Sequence, residues 1–522
     1  MTEYLKEAMS MTGYENNGRL PRFPEPLWRG TAELTQFPKL TEDIQTDAVV
    51  VGGGMTGITS AYLLAKEGLK VTLLEAGVIL NGTTGHTTAK ATAQHSLIYD
   101  ELIGNFGEEK ARLYYQANHD ALQFMKDLIK DGKIDCDCSE EDAYIYTNAS
   151  DKMQSLIDEF KAYEQLGIVG EYVSTIPIPV EAKAAIIMKK QMRFHPLKYL
   201  KHLVNEFTKL GGKIYEHTTV VDIEEGDSPV ITTRDNHKVS CSQMIIASHI
   251  PFYDLKGFYF SRMYPSRSYA MAVKTEKEFP GGMYINAESP SRSLRSADLN
   301  GEKVIIFGGD SHDTGKEENT HQYYEELEKF ADKTFGVREI PYRWSAQDPI
   351  TLDKIPFVGH YSSSTSNIYV ATGYRKWGMT NSTNAALLLT DLIVGRDNPY
   401  KDVFTPQRFH AYPDVKKFLS INAGVAKDLV KGKLEQPSTQ PENLGLDEGA
   451  AVTVDGKRAG AYRDHDGKLH IVDTTCTHMG CELNWNNGER TWDCPCHGSR
   501  FSHKGEVLEG PAELPLKKLS EE

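Results

Sequence analysis

The sequence predicts two units of unlike class, a large α/β body followed by a small all-β domain. Three observations carry this. A short apolar run, "DAVVV" (47–51), leads through "GGGMTG" into a helical stretch, "ITSAYLLAKEG", and then a second strand-like run, "KVTLLEAG" (70–77). A polar, proline-bearing stretch, "KGKLEQPSTQPENLGLDE" (431–448), has the composition of a linker. Beyond it, short β-type runs are punctuated by Asp455-Gly456 and Asp466-Gly467, which are strong hairpin signals.

At 522 residues the chain exceeds what one hydrophobic core supports. We expect a polar lead-in over 1–45 with a few anchors such as Trp28, an α/β body over 46–430, a linker over 431–445 and a β domain over 446–522. Within the body, "EEKARLYYQANHDALQFMKDLIKDG" reads as helix and "KVIIFGG" (303–309) as strand. A terminal domain that small is marginal by its core alone, so a metal staple is expected. The 73 acidic against 58 basic residues, a formal charge of -15, argue against a nucleic-acid surface and for small-molecule or protein partners. Neither a signal-peptide pattern nor an apolar run of membrane-spanning length is present, so a cytoplasmic location is expected, with peripheral membrane contact left open.

The strand-turn-helix-strand order gives the glycines work to do. Gly52 permits the tight turn, Gly54 lets backbone approach a pyrophosphate, and Gly57 allows helix and strand to pack closely, while the helix N-terminus offers N–H donors. Glu75 closes the second strand 23 residues after Gly52, where a carboxylate accepts hydrogen bonds from a ribose 2′-OH.

That fingerprint serves FAD and NAD alike, but most of residues 45–400 resemble the flavin domain of the D-amino-acid oxidase and glycine oxidase superfamily. "DAVVVGGGMTGITSAYLLAKEGLKVTLLEAG" resembles its FAD-binding start and "NGTTGHTTAK" (81–90) the segment that lies along the flavin. "RFHPLKYLKHLVNEFTKLGGKIYEHTTVVDI", "DPITLDKIPFVG" and "NIYVATGYRKWGMTNSTNAALLLTDLI" resemble further stretches. The resemblance implies a Rossmann-like FAD-binding domain interleaved with an α+β substrate domain, and flavin contacts from Thr84, His86, Val220, Gly373, Gly378, Met379 and Thr380. His86 has the spacing of the histidine that carries flavin covalently in dimethylglycine and sarcosine dehydrogenases; a polar contact is the alternative. His249 stands where the family more often has glycine. Arg375 and Lys376, beside Trp377, are candidates to bind a substrate carboxylate or polarise the flavin, against the alternative of a surface loop. Tyr264, Arg267 and Tyr269 are candidates for the substrate side, with core tyrosines as the plainer reading.

Of 7 cysteines, four fall with two histidines in "CTHMGC" (476–481) and "CPCHGS" (494–499). Cys136 and Cys138, in "DCDCSEED", read as thiols of an acidic surface loop. In a reducing compartment the dense cluster reads as a metal or redox site. Zinc could use Cys476, His478, Cys494 and His497, but one residue between Cys476 and His478 is short for a zinc pair, and zinc explains neither Cys481 nor Cys496. A Rieske [2Fe-2S] centre accounts for all six. The tail resembles the Rieske proteins of respiratory and photosynthetic cytochrome complexes. That likeness implies Cys476, His478, Cys494 and His497 as ligands, a Cys481–Cys496 disulfide, a hydrogen bond from Ser499 to a bridging sulfur, and "GPA" (510–512) as the covering proline loop. Phe501 departs from it, since those proteins have tyrosine there; a lost donor to a cysteine sulfur should lower the potential within the Rieske range of about -150 to +300 mV.

Together these features predict a flavin-dependent dehydrogenase that oxidises an amine or amino-acid-like substrate and passes electrons singly through the cluster to an external acceptor, a protein or a quinone. The alternatives are a reductase with electrons entering through the cluster, an oxidase with an idle Rieske domain, and a redox-responsive binding protein without turnover.

Overall fold

The computed structural model describes residues 19–254, 256–408 and 437–521, with parts of 419–435. Strands Ala48–Val51 and Val71–Leu74 are parallel neighbours with every residue buried. Apolar, largely β-branched runs without alternation are what a strand covered on both faces requires. They lie inside a six-stranded sheet ordered Phe357–His360, Ile368–Thr372, Gln243–Ile246, Ala48–Val51, Val71–Leu74 and Lys213–Tyr215. The first of these is antiparallel to its neighbour and the rest are parallel. Helices Met55–Lys66, Pro196–Lys209 and Gly378–Val394 join Val50 and Leu73 in one core through Leu64, Leu203 and Leu388.

A mixed nine-stranded sheet forms the second half of the body. Its path runs Val337–Thr351, Met263–Thr275, Glu302–Asp313, Arg292–Leu299, Met283–Asn286, Ser139–Thr147, Ala184–Arg193 and Lys90–Ala91, with Gly170–Val173 also paired on Ala184–Arg193. The long helix expected from its apolar periodicity spans Glu108–Asp131 and buries Tyr114, Leu122 and Met125. The part of the lead-in that is described is tied down: Trp28 is buried and its Nε1 donates to Thr87 O at 2.6 Å. One expectation is corrected here. Cys136 is no surface thiol but belongs to the core, and burial pushes its thiol up to about 12, whereas Cys138 is exposed. Among the described residues no helix is long and apolar enough to cross a membrane.

The terminal domain consists of two four-stranded antiparallel sheets, Glu448–Val454, Lys457–Arg463, Leu469–Val472 and Lys518–Glu521 in one, and Asn484–Asn486, Thr491–Asp493, Arg500–Ser502 and Val507–Glu509 in the other. Asp455 and Gly456 form the two-residue turn their sequence announces, both with positive φ and Val454 paired with Lys457. The second Asp-Gly pair closes a longer loop, because the Asp464 carboxylate accepts from the amides of Asp466 and Lys468 before Arg463 pairs with Leu469. Leu444, just upstream, is already buried in this domain's core.

Candidate functional site

The glycine turn is built as its spacing requires. Gly52 holds φ +109°, and a Cβ on Gly57 would meet the Gly52 carbonyl oxygen at 1.9 Å, so neither position admits a side chain. Gly54 caps helix Met55–Lys66 and has no side chain with which to satisfy its leading N–H groups. Glu75 lies against this turn, one carboxylate oxygen accepting from Gly53 N at 2.7 Å and the other from Gly77 N at 2.8 Å. Thr84 closes the far side, its Oγ1 accepting from Met55 N at 3.0 Å. A helix end whose N-cap glycine offers its N–H groups no side chain, beside a carboxylate and with backbone access kept open, suits the pyrophosphate and ribose of FAD.

The other flavin candidates gather around the same turn. Val220 is buried two residues beyond Thr218, whose N donates to Glu75 O. His86 ends a short helical turn, Thr83–His86; its Nδ1 lies 3.0 Å from Gly82 O and its carbonyl accepts from Trp344 Nε1 at 2.8 Å. Gly373 has φ +81°, and a methyl there would strike Thr351 Cγ2 at 2.4 Å. Tyr374 OH joins Thr56 Oγ1 at 2.8 Å, which draws the start of helix Gly378–Val394, with Met379 and Thr380 buried, against the first helix. Arg375 and Lys376 are consecutive left-handed residues in the intervening turn; Arg375 donates to His95 O at 3.0 Å and Lys376 is exposed.

His95 carried no signal in the sequence and proves central to this region. Its Nδ1 meets Tyr114 OH at 2.8 Å, its Nε2 meets Thr92 O at 2.8 Å and Thr380 Oγ1 at 3.1 Å, and its ring stacks on Trp377. Burial above all, and the Arg375 guanidinium, push it down to about 3, so it acts as a neutral tie.

Two loops of the terminal domain bring the cysteines and histidines together. Each closes on itself, Gly480 N donating to Cys476 O at 2.9 Å and Gly498 N to Cys494 O at 3.1 Å. Cys481 and Cys496 form a disulfide with Cα atoms 6.6 Å apart, joining the loops. Cys476 and Cys494 are buried, and the Cys494 thiol holds that of Cys476 below the usual range, with burial opposing and the Ser499 hydroxyl assisting. The rings of His478 and His497 are 5.1 Å apart, and both Nδ1 atoms are buried without a hydrogen-bond partner. Burial and the neighbouring His478 push His497 down to about 4. Two buried thiols in contact and two neutral imidazoles with orphaned nitrogens, carried by the same pair of loops, fit a [2Fe-2S] cluster ligated by sulfur on one iron and nitrogen on the other. Ser499 Oγ accepts from Ala512 N at 3.0 Å, which seats the "GPA" loop beside the loops.

This assembly is pressed onto the α/β body. His497 meets Phe260 edge-on at 5.3 Å and lines a small cleft with Met263, Tyr264, Pro265 and Pro349. Gly315 has φ +73° and no room for a Cβ, which would lie 2.7 Å from Pro495 N. Arg267 is wholly buried, donating to Ser345 Oγ at 2.7 Å and pairing with Glu509 at 2.9 Å, while Arg500 pairs with Glu509 at 3.0 Å and Asp493 at 3.2 Å. Burial would raise the Glu509 carboxyl, but Arg500 and Arg267 outweigh it and hold it at about 2. Arg267 is thus engaged by the terminal domain, and Tyr269 is a core residue hydrogen-bonded to His312 at 2.9 Å. Gly315, Gln347 and Glu509 stood outside every motif, and each has a partner far away along the chain, Pro495, Gly498 and Arg267 respectively.

Known proteins resemble both units. The profile of the FAD dependent oxidoreductase family (DAO) matches residues 47–392, and that of the Rieske [2Fe-2S] domain matches 436–520. A Bacillus subtilis (strain 168) protein named as a Rieske 2Fe-2S iron-sulfur protein, YhfW, is 51% identical over 496 residues, covering 95% of this chain and 97% of its own length. Gamma-glutamylputrescine oxidoreductase of Escherichia coli (strain K12) is 25% identical, covering 72% of this chain and 90% of its own. Glycine oxidase from Geobacillus kaustophilus superposes with a TM-score of 0.60 at 18% identity, covering 70% of this chain and 100% of that one. With the glycine turn, Glu75 and the paired loops in place, the chain belongs to the FAD dependent oxidoreductase family and carries a Rieske [2Fe-2S] domain at its C-terminal end.

Proposed function

We propose that the protein is a dehydrogenase that oxidises an amine or amino-acid-like C–N bond and sends the electrons to an external acceptor in the cytoplasm, a carrier protein or a quinone. FAD supplies two-electron acceptance from the C–N bond, and a Rieske cluster supplies one-electron export. The observation that carries this reading is the seating of His497 against Phe260 and Pro265, which puts a cluster-binding loop on the body that holds the dinucleotide turn. The substrate class is suggested by two similar proteins, named for glycine and for gamma-glutamylputrescine. Within the site, Gly52, Gly54, Gly57, Glu75 and Thr84 would hold FAD, and Cys476, His478, Cys494 and His497 the cluster. Arg375, oriented by its bond to His95 O, would meet a substrate carboxylate, with Lys376 beside it.

The test is an anaerobic screen of amines and amino acids for bleaching of the flavin, with electron paramagnetic resonance of the same samples. The relay predicts that every compound that bleaches the flavin also produces the signal of a reduced cluster. Bleaching with the cluster left oxidised would defeat it.

A further inference from the structure

Gln347 touches both halves of the site at once. It lies in strand Val337–Thr351, paired with Arg267 of the neighbouring strand, and is fully buried. Its backbone carbonyl accepts from Thr83 Oγ1 at 2.9 Å and lies 2.8 Å from His249 Nε2, and those two side chains are 3.3 Å from each other. Thr83 opens the Thr83–His86 turn next to the dinucleotide glycines. The amide Nε2 of Gln347 reaches the other way and donates to Gly498 O at 2.8 Å. Gly498 separates His497 from Ser499, holds φ +78°, and has no space for a Cβ, which would lie 2.6 Å from Pro265 Cβ and 2.9 Å from Gln347 Nε2. The second cluster loop therefore rests on this side chain as well as on Phe260, Pro265 and Gly315, and of these Gln347 alone also reaches the Thr83 turn through its carbonyl.

His249 gives the junction its second mark. It sits at φ +69°, a left-handed conformation that glycine adopts freely and that is uncommon for a residue with a side chain. Its own carbonyl is held by Thr372 Oγ1 and its ring is spent on Thr83 and the Gln347 carbonyl. One ring thus joins the flavin-side turn to the strand whose Gln347 amide holds the cluster loop.

We propose that Gln347 and His249 are positioning residues: together they clamp the Cys494–Ser499 loop to the Thr83–His86 turn and so fix the spacing across which electrons pass between flavin and cluster. This rests on the relay reading above. Neither side chain ligates a metal or handles a proton; the clamp acts through Gly498 and Thr83.

The experiment compares the loaded full-length protein with Gln347→Met, which keeps the volume and removes the donor, and His249→Gly, which fits the backbone and removes the ring. Two quantities are read: deuterium exchange in the peptide containing residues 497–500, and the rate at which a flash-reduced flavin passes an electron to the cluster. Loss of one buried hydrogen bond should raise exchange roughly tenfold in Gln347→Met, and transfer should slow in both variants while flavin content and the cluster's resonance line shape stay as in the parent. A purely structural role would lower thermal stability without slowing transfer. Exchange and transfer unchanged in both variants would overturn the proposal, as would faster exchange with unchanged transfer. If the parent protein itself passed no electron, the relay would fall, and exchange at 497–500 would still decide whether the clamp exists.

Discussion

A methyl group at Gly57 has no place to go, since the Gly52 carbonyl oxygen stands 1.9 Å from where it would be. Gly57→Ala must therefore push helix and strand apart at the point where FAD's pyrophosphate would bind. Overpacking of this kind costs about 1–3 kcal/mol, so FAD affinity should drop roughly tenfold or more, measured by flavin titration of the apoprotein; parent-like affinity would refute the assignment. Phe501 is the second informative residue. It is fully buried, paired across the strands with Trp492 and packed in the same core as Cys476 and Cys494. Phe501→Tyr adds a hydroxyl within that core, where a donor to a ligand sulfur would favour the more negative reduced cluster. The midpoint should rise in protein-film voltammetry, and an unchanged value would show that the ring does not face a ligand sulfur.

At the scale of elements, the contact between the strand Met263–Thr275 and the terminal domain is governed by charge. Arg267 from the strand and Arg500 from the domain share Glu509, and Asp493 lies 3.2 Å from Arg500 and 3.9 Å from Arg267. Removing one member of a buried pair leaves the other charge uncompensated. Glu509→Gln should destabilise the holoprotein by about 3 kcal/mol in chemical denaturation, near the low end because Asp493 remains. In a double-mutant cycle with Arg267→Met the losses should fall short of additive, and full additivity would mean the pair is not coupled. The sign with pH follows from the depressed carboxyl. Glu509 titrates near 2 in the folded chain against about 4.3 unfolded, so its contribution is complete above about 4.3 and is lost as pH falls toward 2.

For the whole molecule, the terminal domain is held by far more than its covalent connection. Thr320 N donates to Asn487 Oδ1 at 2.9 Å, Tyr324 OH to Glu489 at 2.6 Å, Arg343 to Gly488 O at 2.9 Å, and Arg490 to Arg22 O at 2.6 Å. Arg343 in turn lies over the Tyr324 ring at 4.6 Å. Proteolytic cutting of the polar 431–440 stretch should therefore leave both fragments co-eluting in gel filtration at ordinary salt. Separation of the fragments would show that the contact depends on the tether.

Much of this was legible beforehand because it is local. "DAVVV", the glycine turn and Glu75 lie within 30 residues and fold by the short-range rules of turn, helix end and buried strand. The two cysteine-histidine loops are likewise compact, each closed on itself by one backbone hydrogen bond, and Asp455-Gly456 needed only its own dihedral preferences. The hidden parts are those with partners far off in the sequence: Cys136 looked superficial from its acidic neighbours, yet it is buried in the body's main core, and His95 owes its role to Tyr114 and Thr380. Periodicity reports which side of an element is apolar but not which other element it meets. By itself, then, the sequence determined that this protein has a dinucleotide turn in an α/β body and a cysteine-histidine pair of loops in a β domain. Only the tertiary structure decided that the second of those loops rests on Gln347 and Gly315 and that Arg267 pairs with Glu509, because contacts between residues more than a hundred positions apart depend on how finished sheets pack, and no local pattern encodes that.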